Sequence, residues 1–380
     1  MKILIVDSYY PRFLSSALES TLPDAEDYQT LLQRLLELRF GTADFYSRNL
    51  NALGHETRDI IFNCEPLQHM WAKENGVALG RVATWLPRRL TNVPFLRRYS
   101  RDTEMLLAIA FRQIRSFRPD VLYLQDLNLF SRDILQQLRD EGVIRLAVGQ
   151  IACPLPEWEF LDGLDLILTS FPHYVSRLRA RGIAAEYFRI GFDPIVLEAV
   201  GFPIRDHACT FVGGVSPAHL RRVELLEQLA RSVDITFYGY GVDSIDRNSP
   251  ICPLHRGDAW GLDMYRTLAR SRITINVHID TAENNANNMR LYEATGCGAM
   301  LLTDMKDNLH ELFKVGKEIV TYESVNDAID KIRYYSTHPD EVAAIAHAGQ
   351  VRTLTDHTYA RRMAELACLL QEYLTEDASR

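Results

Sequence analysis

The sequence predicts an α/β fold made of two doubly wound domains that face each other across a cleft. Short apolar runs, each followed by a loop, alternate with segments of helical periodicity along the chain. The runs are continuous in apolar character, which is typical of strands buried on both faces of a parallel sheet. Four runs lie before residue 170 and five lie between residues 210 and 321. Two groups of strands with intervening helices indicate two sheets and therefore two domains.

The runs predict nine strands. They are Ile3–Val6, Val121–Leu124, Leu146–Val148, Leu166–Thr169, Thr210–Val212, Ile235–Tyr238, Ile273–Val277, Met300–Thr303 and Ile319–Thr321. Helical periodicity that ends close to a glycine predicts helices at Tyr46–Leu53, Ser131–Asp140 and Val175–Ala180. Right-handed crossovers then place helices on the faces of each sheet.

The linker between the domains is predicted at Arg189–Asp206, a segment with two prolines and two glycines. The first domain is assigned residues 1–195 and the second residues 196–356. A strong helical pattern at Tyr359–Tyr373 follows two complete domains. We therefore expect the C-terminal segment, residues 357–380, to pack back onto the first domain.

Composition excludes several classes of protein. The 380 residues include 47% apolar and 24% charged residues, a globular balance that excludes disordered and collagen-like chains. The net charge of −8 disfavours a nucleic-acid partner, because such partners are bound through many Lys and Arg side chains. The cysteines form no CxxC pair and the histidines form no HExxH motif, so no metal site is expected. Since the sequence shows neither a signal peptide nor a membrane-spanning run, we predict a cytoplasmic location.

An asparagine-rich loop and the short helix after it form the strongest candidate binding site. The stretch at 284–304 reads NNANNMRLYEATGCGAMLLTD and follows a predicted strand. Ligands of α/β sheets bind beyond the carboxyl ends of strands, where helix N-termini favour anions such as a diphosphate. Glu293, on the helix, is a candidate acceptor for the hydroxyl groups of a ribose. The alternative is that the loop is an ordinary turn and Glu293 is a solvated helix residue.

Two further glycine-containing turns follow predicted strands. Gly213 and Gly214 allow the backbone to approach a ligand closely, and Arg222 is a candidate partner for a phosphate. Tyr238 and Gly239 open the turn after the next strand and are candidates to flank a base. The alternative is that both are tight turns with no ligand. Neither turn has the full GxGxxG spacing, and the chain has no P-loop.

Several stretches of the chain resemble the GT-B glycosyltransferases, in particular the spore-maturation-protein-like (CgeB-like) group with a glycosyl transferases group 1 C-terminal domain. In the second half they are FVGGVSPAHLRRVELL at 211–226, YRTLARSRITINVH at 265–278, MRLYEATGCGAMLLTD at 289–304 and ELFKVGKEIVTY at 311–322. In the first half they are FYSRNLNALGHE at 45–56 and SFPHYVSRLRARGIAAEYFRIGFD at 170–193. The resemblance implies two Rossmann-like domains, with a UDP- or GDP-linked sugar donor on the second, an unidentified acceptor on the first, and no bound metal or cofactor.

The resemblance also implies roles for individual residues. Glu293 matches the second glutamate of the retaining family's E-x7-E motif, which contacts the donor ribose. Asn285 stands at the position of the first glutamate, with Glu283 two residues before it. Gly214 stands where related transferases have an arginine, and Arg222 lies near the position of their diphosphate-binding lysine. The remaining candidates for donor binding are Asn288, Met289, Arg290 and Leu291, with Arg222, Arg290 and Lys317 as candidates to offset charge on the leaving phosphate.

On the acceptor side, three polar residues follow predicted strands of the first domain. They are Asp7, Asp126 and Gln150. Asp126 is the candidate catalytic residue, because a carboxylate there is suited to position or deprotonate an acceptor hydroxyl. The alternative for both aspartates is that they cap the helix that follows.

These observations predict a retaining, metal-independent glycosyltransferase. The alternatives are a nucleotide-sugar epimerase or hydrolase, and a degenerate protein that binds nucleotide sugars without transfer, since Asn285 and Gly214 depart from the motif. The region Arg81–Arg118 mixes arginines with apolar residues, which fits either a peripheral membrane contact or a helical insertion packed on the first domain.

Overall fold

The computed structural model describes residues 1–77, 101–215, 220–286 and 288–377 and contains two parallel sheets. The first sheet has the order β2-β1-β3-β4-β5-β6. Its strands are β1 (Lys2–Asp7), β2 (Glu56–Ile61), β3 (Val121–Leu124), β4 (Leu146–Ile151), β5 (Leu166–Thr169) and β6 (Ala185–Tyr187). The second sheet has the order β11-β10-β9-β7-β8. Its strands are β7 (His207–Val212), β8 (Thr236–Tyr238), β9 (Ser271–Asn276), β10 (Met300–Asp304) and β11 (Val320–Tyr322).

Nine helices are described in the first half of the chain. They are α1 (Pro11–Thr21), α2 (Tyr28–Glu37), α3 (Phe45–Ala52), α4 (Glu65–Glu74), α5 (Arg101–Phe117), α6 (Arg132–Asp140), α7 (Trp158–Leu161), α8 (Pro172–Arg179) and α9 (Ile195–Val200). Those of the second half are α10 (Leu220–Ser232), α11 (Gly261–Arg270), α12 (Arg290–Gly296), α13 (Leu309–Leu312), α14 (Val325–Ser336), α15 (Pro339–Asp356) and α16 (Tyr359–Asp377).

The apolar runs form the strands because helices cover both faces of each sheet. Every residue of β3 and of β5 is buried, as expected for central strands of a parallel sheet. All nine predicted strands are present, and the two separate parallel sheets confirm the predicted α/β fold class. The sequence analysis misses β2 and β6, which are the two edge strands of the first sheet.

The chain passes between the two sheets twice, at neighbouring places. The segment after β6 contains α9, which packs against α11, and β7 begins after it at His207. Phe192 in this segment pairs with Thr358, just before α16, in a parallel bridge. α16 then lies against α3 of the first half, with the ring of Tyr359 5.4 Å from that of Phe45. The C-terminal helix therefore contributes side chains to the hydrophobic core on one face of the first sheet.

The arginine-rich region is described only in part. Residues 101–117 form α5, whose side chains Leu106, Ile109 and Ile114 are buried. Arg115 of this helix forms an ion pair with Glu141, with Nε 2.7 Å from Oε2. This part is a packed helix of the first domain, and residues 81–100 lie outside the described residues. Within the described ranges, no helix is both long and apolar enough to cross a membrane.

Candidate functional site

Residues that follow the carboxyl ends of the two sheets meet across a cleft. Arg177 of α8 forms an ion pair with Glu283, in the loop after β9, with Nη2 2.6 Å from Oε1. Asn285 of the same loop donates a hydrogen bond from Nδ2 to Nδ1 of His173, at 3.1 Å. Since ligands of α/β sheets bind beyond the carboxyl ends of strands, this cleft is the candidate site.

A second set of contacts joins α1 to the loops after β8. Nη1 of Arg12 lies 3.0 Å from Oδ2 of Asp243, and Nε of the same arginine lies 2.6 Å from Oδ2 of Asp258. The rings of Tyr10 and Tyr240 meet edge to face, with their centroids 5.8 Å apart. These contacts bring the loop after β1 close to the loop after β8, so residues from both domains line the cleft.

Arg222 supplies a cation at the carboxyl ends of β7 and β9. Its guanidinium donates to the carbonyl oxygens of Gly214, at 3.2 Å, and of Val277, at 3.1 Å. No carboxylate of the described residues lies within 4.0 Å of it, and its Nε has no hydrogen-bond partner among them. Burial lowers the pKa of Arg222, although Tyr240 and Asp304 favour the charged form. A half-buried cation with no carboxylate partner is suited to bind an anion.

Beside it, Asp304 joins two basic side chains at the end of β10. Nδ1 of His278 donates to Oδ1 of Asp304 at 2.6 Å, and Nζ of Lys306 lies 3.2 Å from Oδ2. Burial raises the pKa of Asp304, but the hydrogen bond from His278 and the charge of Lys306 outweigh it and hold the value at about 2. The carboxylate therefore stays ionised and orients both basic side chains. Nε2 of His278 is buried and has no hydrogen-bond partner among the described residues.

Glu293 is a buried residue and not a solvated one. Its Oε2 lies 2.8 Å from Nη1 of Arg290, three residues earlier on α12, and it also contacts the hydroxyl of Tyr265. Burial raises the pKa of Glu293, while Arg290 and Tyr265 oppose that shift. Arg290 is thus already paired and is a weaker candidate than Arg222 for the charge of a phosphate. Lys317 precedes β11 and lies at the amino edge of the sheet, away from the cleft.

The remaining candidates around α12 mainly contact other residues of the second domain. Asn288 donates from Nδ2 to Oδ1 of Asn276 at 2.7 Å, which ties the loop to the end of β9. Met289 is half-buried and packs against the core, and Leu291 is fully buried in it. The side chain of Leu291 is therefore unavailable to a ligand. Asn288 and Met289 position the loop, so their contribution to donor binding stays a prediction.

The two glycine turns pack tightly against each other. A side chain at Gly239 would place its Cβ 2.2 Å from the carbonyl oxygen of Gly213, and Gly239 has φ +121°. At Gly214 a Cβ would lie 2.7 Å from the ring of Tyr240. The hydroxyl of Tyr238 lies 3.4 Å from Nε2 of His207, the first residue of β7, so it points away from the cleft. Close backbone packing alone accounts for the glycine at position 239.

Substitution of Gly239 by alanine is expected to destabilise the second domain by about 3 kcal/mol, because it combines a backbone clash with a left-handed conformation. Gly257, with φ +101° and open space at its Cβ position, is the matched control. The same change there is expected to cost about 1 kcal/mol. Urea unfolding of both variants measures the difference, and equal losses would show that the packing of the two turns is not tight.

On the first sheet, Asp7 ends β1 and Asp126 lies two residues after β3. Burial raises the pKa of Asp7 to about 7, and the charge of Asp126 adds to this shift. The N–H of Ser8, which donates a hydrogen bond to Oδ1 of Asp7 at 2.8 Å, lowers the pKa but does not cancel the effect of burial. Oδ1 of Asp126 accepts from the N–H of Asn128 at 3.0 Å, so this carboxylate holds a turn and not a helix N-terminus. A carboxyl group with a pKa near 7 is suited to accept a proton at neutral pH.

Gln150 lies inside β4 and not after it, because the strand continues to Ile151. Its Oε1 accepts from the hydroxyl of Tyr123 at 2.7 Å, and its Nε2 donates to that of Tyr46 at 3.0 Å. Both tyrosines are buried in the core. The amide of Gln150 is therefore engaged in the interior, and a role in acceptor binding stays a prediction.

The raised pKa of Asp7 predicts a pH dependence of stability. Between pH values of about 4 and about 7 the folded protein holds a proton that the unfolded chain has lost, so stability falls as the pH rises through this window. Because the side chain is partly exposed, we expect a loss of about 2 kcal/mol. Asp7→Asn should remove that part of the slope in urea unfolding, whereas Asp133→Asn, on an exposed position of α6, should keep it. An unchanged slope in Asp7→Asn would contradict the assignment.

Sequence patterns do not single out several residues of the cleft. Asp304 directly follows a predicted strand, so the reasoning applied to Asp7 would also have found it. Lys306 carries no such signal, because it lies in the loop two residues past the end of β10. Arg177 and Trp260 carry none because their contacts depend on how the domains meet. Trp260 stacks on Tyr240, with ring centroids 5.1 Å apart, and extends the aromatic contacts of the cleft.

Two pockets are associated with the second domain. One of about 520 Å³ opens between the domains and is lined in part by Ser176, Tyr187, Asn285 and Asn308. The other, of about 550 Å³, lies at the amino edge of the second sheet, away from the cleft. In the parts of the chain that the structure describes, no three His, Cys, Asp or Glu side chains are grouped closely enough to hold a metal ion.

One family of known sequences matches part of the second half of the chain. Residues 221–367 match the glycosyl transferase-like family, and the match includes Arg222, His278, Glu293 and Asp304. No curated protein shows significant sequence similarity to the chain.

Known structures extend the likeness to the whole chain. Sucrose-phosphate synthase from Thermosynechococcus elongatus is 10% identical, with 99% of this chain and 100% of that chain covered and a TM-score of 0.58. The Anabaena protein HepE, solved in complex with UDP-glucose, is 12% identical, with coverage of 98% and 100% and a TM-score of 0.58. A glycosyltransferase from Rickettsia africae is 13% identical, with coverage of 98% of both chains and a TM-score of 0.55. The narrower spore-maturation-protein-like assignment stays a prediction. The chain thus has the GT-B fold of glycosyltransferases and carries a glycosyl transferase-like domain in its second half.

Proposed function

We propose that this protein transfers a sugar from a nucleoside-diphosphate-sugar to an acceptor hydroxyl, with the donor bound to the second domain. The observation that supports this most is Arg222, a half-buried cation with no carboxylate partner among the described residues, at the cleft end of a glycosyl transferase-like domain. The diphosphate group of such a donor is an anion that would satisfy this cation.

Sugar transfer breaks the bond between the sugar and the diphosphate, so negative charge builds up on the leaving phosphate. We propose that Arg222 offsets most of this charge, because it has no carboxylate partner among the described residues. Lys306, which is paired with Asp304 at the end of β10, is proposed to add a smaller contribution. Two cations from the chain itself favour a transfer that does not depend on a bound metal. Since HepE was solved with UDP-glucose, a UDP-linked donor is the first probe, and a GDP-linked donor is the second.

On the acceptor side we propose that Asp7 and Asp126 act together. Burial, with a smaller contribution from the charge of Asp126, raises the pKa of Asp7, and the shifted Asp7 carboxyl is the better proton acceptor at neutral pH. Asp126, whose carboxylate holds the turn at Asn128, is then proposed to contribute its charge and position. Glu293 remains the proposed contact to the donor ribose. Retention of the anomeric configuration is also a proposal, which the configuration of the product tests by NMR.

Donor binding without transfer is the second candidate. Asn285 occupies the position where the resemblance implies a glutamate, and its amide is engaged with His173. A neutral side chain there favours binding over catalysis.

Release of nucleoside diphosphate from UDP-glucose and GDP-mannose, measured with and without a mixture of saccharide acceptors, tests the proposal. Release that depends on an acceptor is the expected result for a transferase, and it should persist in EDTA if no metal is needed. Release without an acceptor would indicate a hydrolase, and conversion of the donor into an epimer without net release would indicate an epimerase. Saturable binding of UDP with no release under any condition would favour the non-catalytic candidate.

A further inference from the structure

The pocket of about 550 Å³ at the amino edge of the second sheet has a lining that combines apolar and basic side chains. It is built from the starts of β7 and β9, the turn before β10, the end of α14 and the first two thirds of α15. Most of the surface inside it is apolar and comes from residues such as Ile273, Val342 and Ala346. Because the cleft lies beyond the opposite ends of the same strands, this pocket is separate from the proposed donor site.

The charged side chains of the pocket are all basic. Arg205 and Arg272 belong to the lining, which contains no aspartate or glutamate. Arg205 donates to the carbonyl oxygens of Ser271, at 2.8 Å, and Cys297, at 3.1 Å, and Nε of Arg272 donates to the carbonyl of Arg205 at 3.2 Å. Among the described residues, neither guanidinium has a carboxylate within 4.0 Å. The lining of the pocket therefore carries positive charge, while Asp340 and Glu341 lie exposed beside it in the first turn of α15.

Two large apolar side chains are exposed in the segment that leads into this pocket. Phe202 is 96% exposed and Ile204 is 86% exposed, and they are the most exposed large apolar residues that the structure describes. Ile204 is itself part of the lining. Exposed apolar residues beside a basic patch mark an interaction site, since monomeric proteins rarely leave such a surface to water.

We propose that this face seats the protein on an anionic phospholipid bilayer. In this arrangement Phe202 and Ile204 enter the acyl region, and Arg205 and Arg272 approach the lipid phosphates. An amphiphile with a negative head and a hydrocarbon tail matches both the basic rim and the apolar interior, which a purely polar anion would not. The surface is separate from α5 and from the donor cleft, so its test is independent of the proposed function.

Sedimentation of the full chain with lipid vesicles tests this proposal. The probes are vesicles of phosphatidylcholine alone and of phosphatidylcholine mixed with phosphatidylglycerol in equal parts. We expect binding to the mixed vesicles that weakens as salt is added. The double substitution Phe202→Ser and Ile204→Ser should lower this binding roughly tenfold or more. Arg272→Gln should lower it about fivefold and reduce its salt dependence.

Leu53→Ser is the matched control, because Leu53 is an apolar residue of the first domain that is 47% exposed. It should bind the mixed vesicles as the unchanged protein does, and circular dichroism should show that all variants fold. Equal binding by the double variant and the unchanged protein would overturn the proposal and place the contact elsewhere. Failure of the unchanged protein to bind either vesicle would also overturn it, as would self-association in solution that the double substitution abolishes.

Discussion

Replacement of Arg222 by glutamine is expected to lower the affinity for a nucleoside diphosphate roughly tenfold to 100-fold. The reason is that charge-assisted hydrogen bonds to an anion are each worth about 1.5 to 3 kcal/mol. The rate of sugar transfer should fall further, by roughly 100-fold to 1,000-fold, because charge develops on the leaving phosphate. Calorimetric titration with UDP and single-turnover assays measure the two effects.

Arg221→Gln is the matched control for this prediction. Arg221 is the exposed neighbour on the same helix, so its replacement removes the same charge without touching the cleft. The control should bind and turn over donor as the unchanged protein does. Arg222→Lys should fall between the two, since it keeps the charge but loses the planar donor geometry. Equal losses in the variants at positions 221 and 222 would contradict a specific contact.

Replacement of Glu293 by alanine is expected to destabilise the folded protein by about 3 kcal/mol. It leaves the guanidinium of Arg290 without its carboxylate partner in a site where only 14% of the arginine side chain is exposed. The double variant Arg290→Met with Glu293→Ala should regain most of this loss, because no charge then remains to be compensated. Urea unfolding measures both values, and a double variant as unstable as the single one would contradict the account.

A second variant at Glu293 distinguishes its role in stability from a role in donor binding. Glu293→Gln keeps the size of the side chain and a hydrogen-bond partner for Tyr265, which contacts Glu293. If Glu293 also binds the donor ribose, this variant should lower donor affinity more than it lowers stability. A loss of stability with unchanged affinity would restrict Glu293 to a structural role.

Central strands were predictable because burial on both faces demands continuous apolar runs. The edge strands β2 and β6 were not, for physical reasons. β2 has the sequence ETRDII, whose first residues include an exposed glutamate and an exposed arginine, so it lacks an apolar run. β6 has the sequence AEY, with a half-buried glutamate at its centre, so it also lacks an apolar run. The equally short edge strands β8 and β11 were predicted because an isoleucine precedes each of them. Edge strands need fewer apolar residues, and their sequences resemble loops.

Site residues were predictable where they directly follow a strand. Asp7 ends β1, and Asp126 lies two residues after β3. Gln150 was placed wrongly because the strand continues past the apolar run through a glycine and the glutamine itself. Contacts between the domains, such as the ion pair of Arg177 with Glu283, depend on residues 106 positions apart and leave no local pattern.

Hydrogen exchange of the intact protein with and without UDP tests the central claim most directly. The account predicts that UDP slows exchange in peptides at the carboxyl ends of the second sheet, around 213–215, 239–241, 277–286 and 304–308. Peptides that line the pocket at the amino edge should be unaffected. Protection confined to other regions, or the same protection in Arg222→Gln as in the unchanged protein, would contradict a donor site built on Arg222.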